Sequence, residues 1–219
     1  MRLGLKTFVK GFEQASLTGE EEIGRTLEEG VEIAKLLESY GYDCLNVDTG
    51  IYDSFYYACP PMYMPKGYLV ELAAKAKEAV NIPILAGGRM NEADIAENAI
   101  QDGKIDAVVL GRAALADPEY PNKVLTGHTE KIRPCIACNQ GCITRLQQGK
   151  QPTCAVNPVA MREVRYALRH CVQPKKVVVV GGVVAGMEAA RTAAMRGHKV
   201  FLYEKNGSLG GNLIPGGSH

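Results

Sequence analysis

The chain has 219 residues, 46% of them hydrophobic and 22% charged, with a formal net charge of +1. That length suits one large domain or parts of two, and the composition is that of an ordinary globular protein. A near-neutral balance gives no electrostatic reason for nucleic acid or an anionic membrane as partner. No apolar run reaches the roughly 18 residues that span a bilayer. The opening "MRLGLKTFVKGFEQ" lacks the apolar core and cleavage site of a secretory signal, so a cytoplasmic location is expected.

In chain order, "MRLGLK" reads as a frayed strand. Thr18 is the expected N-cap of a helix through "GEEEIGRTLEEGVEIAKLLESY", whose early acidic residues suit the helix dipole. Ile23, Leu27, Val31, Ala34 and Leu37 form its apolar stripe, and Gly41 ends it. "YDCLNVD" follows as a short buried strand, then the long loop "TGIYDSFYYACPPMYMPKG". The helix "YLVELAAKAKEAV" leads to the strand "IPILAGG", and the helix "NEADIAENAIQDG" leads to the strand "IDAVVLGR". A short helical stretch covers "ALADPEYPNKVLTG". This α–β alternation with apolar strands predicts an α/β protein with a parallel sheet covered by helices. Three or four strands are visible where a (β/α)8 TIM barrel needs eight, so the expected architecture is the C-terminal half of such a barrel, over residues 1–127.

From residue 128 to 172 the periodicity disappears. Four of the seven cysteines, Cys135, Cys138, Cys142 and Cys154, are spaced C-x2-C-x3-C-x11-C. In a reducing compartment such a cluster points to metal rather than disulfides. Three grouped ligands and a distant fourth suit a 4Fe–4S cluster, with Gly141 relieving crowding beside Cys142. A four-cysteine zinc site, which more often uses two separated knuckles, is the alternative. After the linker "VQPKK", residues 173–219 read as one strand–helix–strand unit, the start of a Rossmann-like domain. "VVVVGGVVAGMEAA" approaches the G-x-G-x-x-G fingerprint with Gly181, Gly182 and Gly186, but places Val183 where the middle glycine belongs. A valine adds methyl groups where backbone and pyrophosphate approach; if that residue had positive φ it would also cost roughly 1–2 kcal/mol.

Two glycine-rich strand ends, "AGGR" (Gly87, Gly88, Arg89) and "LGR" (Gly111, Arg112), suit phosphate binding in the last loops of a barrel, although each alone could be an ordinary turn. The aromatic loop carries Tyr52, Phe55, Tyr56, Tyr57 and Tyr63. These could stack on a flat ligand or bury one another, and Tyr56 and Tyr57 are candidate catalytic proton donors.

Taken in this order, the segments resemble the long-chain Old Yellow Enzyme family, which includes 2-enoate reductase and 2,4-dienoyl-CoA reductase-like NADH:flavin oxidoreductases. The stretches that carry the resemblance are "RPCIACNQGC…CAVNP", "YDCLNVDTGIYDSFYY…PPMY", "GRAALADPEYPNK" and "AARTAAMRGHKVFLYEK…LGG". It implies an FMN-containing barrel, a 4Fe–4S cluster and an FAD half. NAD(P)H would be the electron donor and an activated C=C bond of an enoate or enone the acceptor. Carried over, Cys135, Cys138, Cys142 and Cys154 match the cluster ligands. Gly87, Gly88, Arg89, Gly111 and Arg112 match the FMN phosphate region. Arg2 matches an arginine at the flavin pyrimidine edge, and Glu204 the acidic residue on the dinucleotide ribose.

Three departures stand out. The family's barrel begins earlier, Cys59 stands where relatives carry histidine before "PPMY", and Val183 interrupts the glycines. The chain is therefore expected to act as a segment of a flavin/iron–sulfur oxidoreductase, with little reductase activity alone and a tendency to self-associate or to pair with the barrel half it lacks. The alternatives are a non-enzymatic iron–sulfur electron-transfer module or an inactive truncated product.

Overall fold

The computed structural model describes residues 1–9 and 24–216. The chain divides into two compact units, Met1–Met161 and Arg162–His219. The first unit has strands β1 (Arg2–Lys6), β2 (Leu45–Thr49), β3 (Ile84–Ala86) and β4 (Ala107–Val108). Its main helices are α1 (Leu27–Ser39), α2 (Val70–Ala79), α3 (Ala93–Gln101), α4 (Arg112–Ala116) and α5 (Tyr120–Leu125). The strands pair in sequence order, β1-β2-β3-β4, all parallel, which requires a crossover between each pair; α1, α2 and α3 supply them.

Residues of β1, β2 and β3 alternate between two environments. Leu3, Leu5, Leu45, Val47, Ile84 and Ala86 are buried with Ala34 of α1, Val70, Ala73 and Ala76 of α2 and Ala99 of α3. Their neighbours Arg2, Asn46 and Asp48 point the other way, because successive side chains of a strand face opposite sides. The sheet thus has one apolar, helix-covered face and one face carrying charge and amide groups. Small residues let the helices come close: a Cβ on Gly30 of α1 would lie 2.0 Å from the Leu5 carbonyl oxygen.

Helix α1 starts later than the acidic run suggests. Thr18 and Ile23 lie outside the described residues, and Gly24–Thr26 are not helical. The N-cap is Thr26, whose Oγ1 accepts from the Glu29 amide (3.2 Å) while the Glu29 carboxylate accepts from the Thr26 amide (2.9 Å). This reciprocal capping box outcompetes a simple count of acidic residues. At the other end Gly41 adopts φ +88° and terminates the helix as expected.

The second unit holds β5 (Lys176–Val180), α6 (Val184–Met195) and β6 (Lys199–Tyr203). β5 and β6 form a parallel pair, Val177 opposite Val200 through Val180 opposite Tyr203. One side of this ribbon is open: Val180 is 85% exposed and Tyr203 60%. Val183 immediately precedes α6 with φ −87° and ψ −177°, ordinary extended backbone. The condition for left-handed strain at Val183 is therefore not met, and what remains is its bulk.

Candidate functional site

A cleft of about 260 Å³ opens over the polar face of the four-stranded sheet. Arg2 of β1 and Asn46 and Asp48 of β2 line it, with Gly87, Gly88 and Arg89 after β3 and Gly111 and Arg112 after β4. The two glycine–arginine strand ends are thus brought together with Arg2 around one space. Arg2 donates from Nε to Asp48 Oδ2, so β2 orients a side chain offered by β1.

The glycine before Arg89 has a specific reason. Gly88 has φ +90°, and a Cβ there would stand 2.9 Å from the ring of Tyr68, so the turn needs both left-handed backbone and a bare Cα. Arg89 itself is left-handed at φ +57°, uncommon for a residue with a side chain. Its Nη1 donates to the carbonyls of Met62 (2.7 Å) and Met64, which ties the end of the aromatic loop to the cleft. Its Nε is buried without a hydrogen-bond partner among the described residues. A buried donor left unmet is costly, and an anion in the cleft beside Gly87–Arg89 would satisfy it. Backbone glycines, Arg112 and this open donor together fit a phosphate group.

The aromatic loop serves this cleft differently from its sequence. Tyr57 stacks on Phe8 with ring centroids 3.8 Å apart, and Tyr56 lies tilted against Tyr57 at 4.6 Å. Tyr52 pairs with Phe55 at 6.1 Å. Neither Tyr56 nor Tyr57 lines the cleft; the tyrosine that does is Tyr68. Tyr68 Oη lies 2.9 Å from Thr49 Oγ1 and donates to the Tyr57 carbonyl, and burial pushes its phenol above the ordinary range. The sequence gives little sign of this residue, because it reads as the first residue of a helix. Cys59 also lines the cleft, and burial raises its thiol as well.

Beside the cleft, a smaller pocket is lined by all four clustered cysteines, Cys135, Cys138, Cys142 and Cys154. Its loop is built by unusual backbone: Ala137 and Asn139 are both left-handed, at φ +52° and +58°. The Ala137 amide donates to Cys135 Sγ at 3.4 Å, and a single wide turn of π type covers Gln140–Thr144. The fourth cysteine arrives because Gly141 lacks a side chain. The Thr153 amide donates to the Gly141 carbonyl at 2.6 Å, and a Cβ on Gly141 would stand 2.7 Å from the Thr153 carbonyl oxygen. Gly141 thus admits the segment carrying Cys154, a more specific role than relief of crowding at Cys142.

Both arms of the cysteine segment are anchored on the helices after β4. The buried Asp117 carboxylate accepts from Lys123 Nζ (2.5 Å) and from the amides of Arg133 (2.8 Å) and Glu119 (3.1 Å). Burial alone would raise its carboxyl, but these donors outweigh burial and hold it below the ordinary range. Asn157 donates from Nδ2 to the Leu115 carbonyl at 2.9 Å. Burial raises the Cys135 thiol, opposed by the Ala137 amide and Arg112.

Among the described residues, no three Cys, His, Asp or Glu side chains converge closely enough to hold a single metal ion. The four thiols instead surround a shared space. Four thiolates around one space are a donor set that suits an iron–sulfur cluster. Arg112 and Cys135 line both this pocket and the cleft.

In the second unit, Gly186 packs α6 onto the turn after β5: a Cβ there would lie 1.9 Å from the Gly181 carbonyl oxygen. Gly181 has φ +101°. Glu204, just past β6, accepts from the Gly182 amide (2.6 Å) and from the Asn206 amide (3.0 Å); the Asn206 and Gly182 amides hold its carboxyl below the ordinary range. The turn, helix start and acidic strand end of a dinucleotide half-site are thus assembled. The middle of it is narrowed: a Cβ on Gly211 would stand 2.4 Å from Val183 Cγ1, so the valine fills the space between two glycine-bearing loops.

Residues 176–219 match the family model described as FAD dependent oxidoreductase. Over 219 residues the chain is 49% identical to cinnamate reductase of Clostridium sporogenes, covering 99% of this chain and 33% of that protein. It is 48% identical over 194 residues to an NADH oxidase of Thermoanaerobacter brockii, covering 88% of this chain and 30% of the relative. A solved 2-naphthoyl-CoA reductase in complex with 2-naphthoyl-CoA superposes with a TM-score of 0.86 at 37% identity, covering 97% of this chain and 31% of that one. The chain therefore spans about a third of the length of the relatives it matches. No helix among the described residues is long and apolar enough to cross a membrane.

Proposed function

We propose that the chain is a segment of a long-chain Old Yellow Enzyme-type flavin oxidoreductase, the class to which its likeness to a cinnamate reductase, an NADH oxidase and an alkene reductase points, and that its parts divide the work as follows. Residues 1–127 are the C-terminal part of an FMN-binding (β/α)8 barrel. Residues 128–172 are a 4Fe–4S module, and residues 173–219 open a Rossmann-like FAD/NAD(P)-binding domain. The reaction is transfer of electrons from NAD(P)H to FMN and reduction of an activated C=C bond of an enoate or enone. Names of relatives support this class: a cinnamate reductase, an NADH oxidase and an alkene reductase.

The observation that carries the reading is the shared wall of the two cavities, Arg112 and Cys135. When bound, FMN supplies hydride chemistry and the cluster one-electron transfer. The chain's own residues do the rest. Gly87, Gly88 and Gly111 expose backbone amides, and Arg89 and Arg112 add guanidinium donors, which together would hold the FMN phosphate. Arg2, oriented by Asp48, would donate to the flavin pyrimidine edge. Cys135, Cys138, Cys142 and Cys154 would ligate the cluster as thiolates. Tyr68 lines the cleft, and its O–H, donated to the Tyr57 carbonyl, fixes the cleft wall to the aromatic loop; Tyr56 and Tyr57 remain the candidate proton donors, although neither lines the cleft.

FAD binding in the second unit is expected to be weak because Val183 occupies the approach that the pyrophosphate needs. The chain alone is expected to reduce little substrate. It is also expected to self-associate. The test is reconstitution with FMN, iron and sulfide followed by NADH oxidation with an enone acceptor. Rates well above those of free FMN would overturn the expectation of weak activity, and a chain that takes up neither flavin nor iron would overturn the cavity assignments.

A second reading, a cluster-bearing electron-transfer module without flavin, is favoured by the local construction of the cysteine pocket, whose ligands are anchored through Gly141, Asp117 and Asn157 within one unit. Absorption separates the two: flavin peaks support the oxidoreductase segment, whereas a broad brown shoulder alone supports the module.

A further inference from the structure

Asn139 lies between the second and third clustered cysteines and lines their pocket, yet both of its side-chain bonds leave the cysteine loop. Its Oδ1 accepts from Arg112 Nη1. Its Nδ2 donates to the Cys59 carbonyl at 2.9 Å, a residue 80 positions earlier that lines the cleft. The orientation of the amide follows from chemistry. A guanidinium can only donate and a backbone carbonyl can only accept, so Oδ1 must face Arg112 and Nδ2 must face Cys59. The backbone at Asn139 is left-handed, φ +58°, a conformation that asparagine tolerates better than most side chains.

We propose that Asn139 is a positioning residue that clamps the cysteine loop, the cleft arginine Arg112 and the Cys59 segment into one frame, so that flavin affinity and electron exchange between the two cavities both depend on it. This rests on the reading of the cavities given above. Arg112 is long and flexible, and the Cys59 carbonyl lies on a different loop; one amide bonds both at once. Oδ1 holds the guanidinium by one of its five N–H groups and leaves the others free for an anion in the cleft.

Two substitutions separate the halves of the clamp. Asn139→Gly keeps the left-handed backbone and removes both bonds. Asn139→Asp keeps an acceptor for Arg112 but sets a carboxylate against the Cys59 carbonyl. In the cofactor-free chain, hydrogen exchange of the Ala58 and Cys59 amides is expected to speed up at least about fivefold in both variants. In the chain loaded with FMN and cluster, Asn139→Gly is expected to raise the FMN dissociation constant about tenfold, whereas Asn139→Asp stays within about threefold. Flavin-to-cluster electron transfer, followed by stopped flow, should slow in both. Should Asn139→Gly fail to melt cooperatively, Asn139→Asp carries the test through loop exchange and transfer rate. Exchange, FMN affinity and transfer rate all within about twofold of wild type in either folded variant would overturn the clamp. A wild-type chain that takes up neither FMN nor iron overturns the reading of the cavities instead, and with it the coupling role, whatever the exchange data show.

Discussion

The two units use the same strand–helix–strand grammar and reach different ends. In the first, four parallel strands bury an alternating set, Leu3, Leu5, Leu45, Val47, Ile84 and Ala86, under three helices, and the opposite face is left to Arg2, Asn46 and Asp48. In the second, two parallel strands carry one long helix, α6, and a single turn of helix at Leu213–Gly216, and the residues buried among those described are Gly182 and Gly210, joined by a bond from the Gly210 amide to the Gly182 carbonyl at 2.8 Å. Two strands and these helices do not enclose an apolar interior among the described residues. The comparison teaches that a local fingerprint can be assembled by turns and glycines alone, whereas a cavity with oriented charges needs a core beneath it.

The largest test of this contrast is at the cysteines. Cys154→Ser should abolish cluster assembly, read as loss of bound iron and sulfide, while the second unit's circular dichroism signature is unchanged. Next comes the core. Leu5→Ala, at a fully buried strand position, should cost about 2–5 kcal/mol in denaturant unfolding. Val180→Ala, at an exposed position of the parallel ribbon, should change stability by less than about 0.5 kcal/mol. Equal costs at the two positions would erase the distinction between the units.

Asp117 sharpens the comparison through pH. Its carboxyl is depressed in the folded chain, so its contribution is fully present above the ordinary carboxylate value of about 3.9 and is lost as pH falls through the lower folded value. Asp117→Asn should remove this acid-side slope from the stability of the first unit and loosen the segment at Arg133. An unchanged acid limb in the variant would contradict the anchoring role. The smallest expected effect is at Val183. Val183→Gly should tighten FAD binding several-fold, measured by fluorescence quenching; because its backbone is extended, stability should not rise through any release of backbone strain. No change in affinity would sink the steric argument.

Much of the first unit was legible. Alternation of helical and apolar segments gives the parallel order, Gly41 ends α1, the "AGGR" and "LGR" strand ends line one cleft and the four spaced cysteines line one pocket. What escaped was decided by distant partners. The true start of α1 depends on the reciprocal bonds of Thr26 and Glu29, which a longer acidic run obscures. Tyr56 and Tyr57 look equivalent to Tyr68 in composition, but stacking on Phe8 removes Tyr57 from the cleft while Thr49 draws Tyr68 towards it. Asn139 has no pattern at all, since its partners lie 27 and 80 residues away. In the second unit the strand–helix–strand order was legible, and along β5 only alternate residues are partly covered.

The central claim is that one unit of this chain holds a four-iron cluster beside a flavin. Iron, acid-labile sulfide and flavin measured on a single anaerobically reconstituted sample test it most directly. The account predicts about four irons, about four sulfides and about one FMN per chain. One tightly bound zinc with no sulfide and no flavin would contradict it.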